Sequence, residues 1–322
     1  MRRTSARTKL ASAVAVTATV AALSAATTAN AAQEHEPQSR TPFASPVGFG
    51  ANTTGGAGGD TVTVSDADAF VRAVQSDGPL VVRVDGTIRL TGMTKVASDK
   101  TIVGVGGNGR IDGSGLNVSR VSNVIIQNLT FSNSNDDGVN VEYSTDVWID
   151  HNDFTNPKDG AVDIKRASTN ITVSWNHAYD VDKNMLLGHS DDNGGEDVGR
   201  LNVTYHHNWF DGTTQRNPRV RFGDPVHVFN NYYNDIGSYG VASTVDAGVL
   251  VEGNYFENTA DPFHLGEGSS GPGRLVARDN YFTGSGQGET GGSVAPIPYG
   301  YTLDDAQDVK AIVQQGAGVG RL

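Results

Sequence analysis

The sequence predicts an all-β chain wound as a right-handed parallel β-helix of about 23 residues per coil, with a short N-terminal capping helix and a C-terminal helix. The first observation is a template of apolar, any, apolar, two of any, Asn, any, aromatic. It recurs as Val147/Ile149/Asn152/Phe154, Ile171/Val173/Asn176/Ala178, Val203/Tyr205/Asn208/Phe210, Val226/Val228/Asn231/Tyr233, Val249/Val251/Asn254/Phe256 and Leu275/Ala277/Asn280/Phe282. The second is its period: the asparagines stand 24, 32, 23, 23 and 26 residues apart, which suits one coil of three short strands. The third is the alternation of apolar residues between glycines and turn formers, the signature of strands; helical repeats of about 33 to 34 residues would need a helical spacing that is absent. Coils stacked about 4.8 Å apart turn equivalent positions into columns. Asn152, Asn176, Asn208, Asn231, Asn254 and Asn280 should therefore form a ladder at one bend, with the aromatic residues stacked in or beside the core. A β-sandwich gives no reason for one template at a near-constant period.

In chain order, residues 1–31 read as a secretion signal peptide. Arg2, Arg3, Arg7 and Lys9 precede an apolar, alanine-rich run from Leu10, and Ala29-Asn30-Ala31 offers a small-x-small cleavage site. The mature protein is thus expected to be secreted, without a membrane anchor. Residues 32–46, with Pro37, Pro42 and Pro46 among polar residues, read as a disordered leader, and residues 47–322 as a single β-helix domain. The Gly-rich stretch Thr54–Asp60 reads as a loop or tether. Ser65-Asp66-Ala67-Asp68 ahead of Phe70, Val71 and Val74 starts a short amphipathic helix, a lid over the first end of the body. Leu80–Val84 and Thr101–Val105 read as strands. An earlier copy of the template, Val124/Ile126/Phe131, has its asparagine, Asn128, one place early. Thr302 through Val313 reads as a helix that packs on the outside or caps the last coil, covering an edge that would otherwise pair with other chains.

Export invites disulfides, yet the chain has no cysteine. Its stability must come from a large core, for which 322 residues suffice. The formal net charge is −12, and removing the leader with its four basic residues leaves −16. Such a field excludes nucleic acid and anionic membrane as partners and leaves an anionic ligand dependent on a local reversal of sign. A monomer is the default for a capped solenoid.

The charges supply that reversal. Asp159 lies 22 residues beyond Asp137, Lys183 lies 24 beyond Asp159, and Arg216 lies 33 beyond Lys183, matching the one long interval of the ladder. These four should form one line on one face, with Asp163, Arg219 and Arg221 close by. Carboxylates about 5 Å apart repel unless a cation intervenes. All-oxygen ligands suit calcium, and neither cysteine nor a paired-histidine spacing offers a softer metal a site. Asp159 and Asp163 would lie about 13 Å apart on a straight strand, so the chain should bend, at Gly160. Asp136, Asp153 and Asp191 read as solvated turn residues. Arg219 and Arg221 share one face of a strand, and Arg216, two residues ahead of Pro218, belongs at a bend. Guanidinium forks bind carboxylates bidentately, so a basic cluster beside an acidic column points to an anionic, calcium-bridged ligand.

VWIDH (Val147–His151), DGAVDIK (Asp159–Lys165), DVDKNMLLGHSD (Asp180–Asp191) and RNPRVRFG (Arg216–Gly223), followed by HVFNNYY (His227–Tyr233), carry a resemblance to a known family. Over roughly Val47 to Leu322 the sequence resembles the extracellular pectate lyase C and pectin lyase family, polysaccharide lyase family 1. The resemblance implies a secreted enzyme that cleaves polygalacturonate, de-esterified pectin, by calcium-dependent β-elimination. Asp137, Asp159 and Asp163 would hold the calcium, and Arg216 would be the base that removes the proton next to the uronate carboxylate. Lys183 and Arg221 would bind and neutralise substrate carboxylates, with Arg219 beside them. Neutralising that carboxylate stabilises the enolate-like intermediate, and an arginine base, its ordinarily very high pKa depressed by calcium and the neighbouring cations, fits an alkaline optimum. Two departures stand out: only seven residues separate His151 from Asp159, so a long loop of some relatives is missing, and Asn135 stands where a further acidic ligand could be. The rival readings are a pectin lyase acting on methylated pectin without calcium, a β-helix glycoside hydrolase using paired carboxylates, and a non-catalytic pectin-binding solenoid.

Overall fold

The computed structural model describes residues 46–322, so the expected signal peptide and almost all of the expected leader lie outside the described residues. The chain winds as a parallel β-solenoid of about 10 turns with about 23 residues per coil. One coil shows the plan: Thr145–Asp150 lies in a first sheet, Asp153–Thr155 in a second and Val162–Lys165 in a third, before Thr169–Ser174 returns to the first. The three sheets have ten, nine and eight strands, each stacked in sequence order. Registers run straight up the columns, Val147 against Ile171, Phe154 against Ala178 and Val162 against Met185.

The apolar positions of the template face inward. Val147, Ile149, Ile171, Val173, Val203 and Val228 are fully buried, each worth about 1.5–3 kcal/mol of apolar transfer. The expected aromatic stack is present but interrupted: Phe131 lies on Phe154, and Phe210, Tyr233, Phe256 and Phe282 stack in turn, with Ala178 between the two runs.

At the bend between the first and second sheets the asparagine ladder is continuous. Asn176 Oδ1 accepts the backbone N–H and the Nδ2 amide of Asn152, each at 3.0 Å, and Asn208, Asn231, Asn254 and Asn280 repeat the pattern up to the last coil. The residue before each rung is left-handed: His151, Trp175, His207, Asn230, Gly253 and Asp279 all have positive φ, a strain of roughly 1–2 kcal/mol at each non-glycine position. Asn128 occupies that strained position rather than a rung. Leu129 takes the rung's place and donates its N–H to Asn152 Oδ1 at 3.0 Å. A second column of positive φ opens the turn from the second to the third sheet, at Asn133, Asn156, Asp180, Gly212, Asp235, Asn258 and Gly284. The one long ladder interval arises because Gly188 to Leu201 loops out between the strands Met185–Leu187 and Val203–His206, carrying a short helix at Gly194–Asp197.

Helix α1, Ala67–Val74, forms where expected. Asp66 caps it by accepting the Ala69 N–H at 2.9 Å, and Phe70 and Val74 enter the first end of the core. The strand expected over Thr101–Val105 runs one residue earlier, Lys100–Gly104. The C-terminal helix starts later than expected, at Val309–Gly316. The residues before it are held elsewhere: Asp304 Oδ2 accepts from His207 Nε2 at 2.8 Å, and its backbone N–H and C=O bond the Asn230 side chain. The helix packs outside the second sheet on Tyr232, while the end strand of the first sheet, Arg274–Arg278, is paired at Leu275 by the chain's own Gly291.

The segment through Tyr299 and Tyr301 lies along the outer face of the first sheet. Tyr299 Oη bonds Thr204 Oγ1 at 2.7 Å and His227 Nδ1 at 2.8 Å, and His227 Nε2 bonds the buried Glu252 at 2.8 Å. Burial alone would raise the Glu252 pKa, but bonds from His227 and Arg278 win and hold it at about 2, below its ordinary 4.5. As the pH falls below 4.5 the unfolded chain takes up this proton first, so the folded state loses stability down to about pH 2. Glu252→Gln should flatten this part of a plot of urea midpoint against pH, and an unchanged slope would dismiss Glu252 as a contributor. Asn208→Ala, which orphans two buried Asn176 donors, should cost about 3 kcal/mol in urea unfolding. The exposed Asn108→Ala serves as control and should cost under about 1 kcal/mol; equal losses would demote the ladder.

Candidate active site

The third sheet presents alternate residues outward. On Val162–Lys165, Val162 and Ile164 fill the core while Asp163 and Lys165 face out; on Arg219–Arg221, Val220 goes in while Arg219 and Arg221 face out. The register Asp163–Leu186–Arg219 puts the acidic and basic strands two coils apart, roughly 10 Å. The turn leading into this sheet carries Asp136, Asp137, Asp159, Lys183 and Arg216. All seven residues expected at the site therefore share one face and its adjoining corner.

Their alignment differs from expectation by one place. Val139 pairs with Val162, 23 residues on, so the 22-residue step from Asp137 falls short. Asp159 sits beside Asp136, donating its N–H to the Asp136 carbonyl at 3.3 Å, while Asp137 sits beside Gly160, whose N–H its Oδ1 accepts at 2.9 Å. Lys183 likewise pairs with Gln215, leaving Arg216 one position further along. The bend expected at Gly160 is real, since the strand begins only at Val162. Glycine is required there by space: a Cβ would come within 2.3 Å of Asp163 Oδ1 and 3.1 Å of Asp137 Oδ1.

Asp137 and Asp163 are both buried, and Lys165 bridges them, its Nζ lying 3.3 Å from Asp137 Oδ2 and 3.1 Å from Asp163 Oδ2. Burial, reinforced by the Asp163 charge, pushes the Asp137 carboxyl up to about 7. Burial raises Asp163 as well, against the opposing pull of Lys165. Asp159 is half-exposed and pairs with Lys183 at 3.2 Å. One carboxylate oxygen from each of Asp136, Asp137 and Asp159 lies within 4.8 Å of the others. Hard, all-oxygen donors around a buried carboxylate too crowded to ionise freely fit a divalent cation of the calcium type. Downstream, Arg221 Nε donates to Asp191 Oδ1 at 2.7 Å, and Arg219 Nη2 donates to Ser270 Oγ at 2.7 Å and to the Glu267 carbonyl at 3.2 Å. Arg216, with φ of +60°, makes no ion pair and no side-chain hydrogen bond among the described residues, and its Nε is buried without a partner.

The chain as a whole is similar to known proteins. A family model described as pectate lyase matches residues 12–321. The chain belongs to the pectate lyase family. It is 36% identical to a pectate trisaccharide-lyase of Bacillus licheniformis over 94% of this chain and 95% of that protein. It is 39% identical to pectate lyase plyB of Emericella nidulans over 85% of each. A crystal structure of pectate lyase Bsp165PelA from Bacillus sp. N165 in complex with trigalacturonate superimposes with a TM-score of 0.78 at 33% identity, covering 86% of this chain and 99% of that one. The chain is thus an enzyme, a polysaccharide lyase.

The sequence does not reveal the place of three residues of this lyase. Asp136, read as a solvated turn residue, lies in the acidic group itself. Lys165 stands inside the DGAVDIK motif and drew no role, although its position two residues beyond Asp163 on a strand places both on one face. Asp191 is likewise a partner of Arg221 rather than a free surface acid. Lys165→Met leaves two buried carboxylates without a counter-charge, so in chelator it should lower unfolding free energy by about 3–5 kcal/mol. Adding Asp163→Asn should recover most of the loss; no recovery would show that Lys165 stabilises by packing alone.

Proposed function

We propose that this protein cleaves polygalacturonate by calcium-dependent β-elimination, releasing unsaturated oligogalacturonides. The observation that carries the reading is Arg216: a guanidinium without an ion-pair partner among the described residues, set between an acidic group and two anchored arginines. Asp137 and Asp159, joined by Asp136 and with Asp163 behind them, would hold calcium, which when bound supplies a positive charge for the substrate carboxylate. Lys183, Arg219 and Arg221 bind and orient the uronate carboxylates. Arg216, acting in its neutral guanidine form, takes the proton from the carbon α to the carboxylate and becomes guanidinium, and the electron pair left behind forms the new carbon–carbon double bond. The bond to the glycosidic oxygen breaks, and that oxygen leaves with a proton delivered by water, while Arg216 gives the proton it took up back to solvent. Pairing with Lys165 and Lys183 keeps the acidic group from repelling an anionic chain.

The names of the relatives support this substrate: a pectate trisaccharide-lyase in one, a trigalacturonate complex in another. The acidic residues favour it over a pectin lyase, and the free arginine over a hydrolase. We further place the protein outside the cell, as a monomer exported by the leader of residues 1–31; among the described residues no helix is long and apolar enough to cross a membrane.

With polygalacturonate and calcium the enzyme should generate the ultraviolet absorbance of unsaturated products, and chelator should abolish it. Reducing ends without absorbance would mark a hydrolase, and no turnover a binding module. Arg216→Lys should remove turnover, by about a thousandfold or more, while circular dichroism and melting temperature stay unchanged. A well-folded, active Arg216→Lys enzyme would strip Arg216 of its role as base.

A further inference from the structure

Arg219 and Arg221 are held by a chain of bonds that neither makes alone. Ser270 Oγ accepts from Arg219 Nη2 at 2.7 Å and donates at 2.8 Å to Asp191 Oδ1, the same oxygen that accepts from Arg221 Nε at 2.7 Å. The polarity is consistent at every link, since the hydroxyl takes one hydrogen and gives its own. Asp191 comes from the loop of the one long coil, and Ser270 from a tight turn in which Glu267 and Ser270 exchange backbone hydrogen bonds at 3.1 and 3.0 Å. Ser270 is buried. The two loops lie 79 residues apart in sequence and meet over the arginine strand.

The remaining contacts set which edge of each guanidinium is left. Arg221 spends Nε on Asp191 and one Nη1 hydrogen on the Gly188 carbonyl at 3.3 Å, so its Nη1–Nη2 end stays open for a carboxylate. Gly188, with φ of +96°, lets the backbone approach this closely, because a Cβ there would lie 2.6 Å from Arg221 Cβ. Arg219 spends Nη2 on Ser270 and Glu267 and leaves Nη1 open. Two long side chains that would each lose about 2 kcal/mol of rotamer entropy on binding an anion are thus ordered beforehand.

We propose that Asp191 and Ser270 are positioning residues that act as one clamp, fixing Arg219 and Arg221 in the geometry that receives successive uronate carboxylates. This rests on the reading of the site as a polyuronate cleft. The clamp works on binding: it sets KM and leaves the proton transfer at Arg216 alone.

The test is a double-mutant cycle on the full-length enzyme, with kcat and KM for polygalacturonate at saturating calcium, and calorimetric binding of trigalacturonate without calcium. Asp191→Ala and Ser270→Ala should each raise KM and weaken trigalacturonate about tenfold with kcat within about twofold, and the double variant should be no worse than the worse single. An unchanged KM in either single variant, losses that multiply to about a hundredfold in the double, or a fall in kcat matching the rise in KM would overturn the clamp. The two readings fail separately: an unmodified enzyme that neither turns over polygalacturonate nor binds trigalacturonate overturns the proposed function and the clamp's role with it. An active enzyme indifferent to both substitutions overturns the clamp alone.

Discussion

The structure depends on keeping each coil in register with the next. A strand spacing near 4.8 Å leaves no freedom for a coil to slip without turning its inward residues out. The asparagine rungs enforce this at the corner where the chain is most strained. Each side chain accepts two bonds from the rung before it and donates to the next, so the left-handed residues beside the ladder, His151 and Trp175 among them, are compensated locally. With the registers held, the outward positions of the third sheet become a surface with fixed addresses, and the site is a consequence of which residues occupy them.

The same spacing creates the site's electrostatic problem. Four carboxylates, Asp136, Asp137, Asp159 and Asp163, are brought to one corner, two of them buried. Lys165 and Lys183 answer part of that charge from within the chain, and the raised Asp137 marks the part left unanswered. Further along, cations crowd instead, and Asp191 answers them in turn. This face is a gradient from acid to base in which each end carries its own internal counter-charge.

Much of this was legible in the chain because period and residue type agreed. Asn176 and Asn208 announce the ladder since one amide does one job at every coil. The parallel column at Asn133, Asn156, Asp180, Gly212, Asp235 and Asn258 has the same intervals, yet three residue types share the left-handed conformation and hide the repeat. Asp137 and Asp159 miss each other by one place because their 22-residue separation is one short of the local register of 23. Lys165 was invisible because a lysine in a strand reads as solvated until the fold supplies the two acids it touches. The late start of the C-terminal helix has a similar cause: the sequence from Thr302 onward reads as helix, but Asp304 is taken by His207 and Asn230.

The loop from Gly188 to Leu201 shows where such an architecture can change. Its extra length leaves the strands on either side in register, Ile171 facing Val203 as Val147 faces Ile171. A solenoid confines added chain to a corner, so that corner can be lengthened, shortened or recoded while the coils beneath keep their register. Chain length added there alters what stands beside Arg221 and leaves the stacking of the coils untouched.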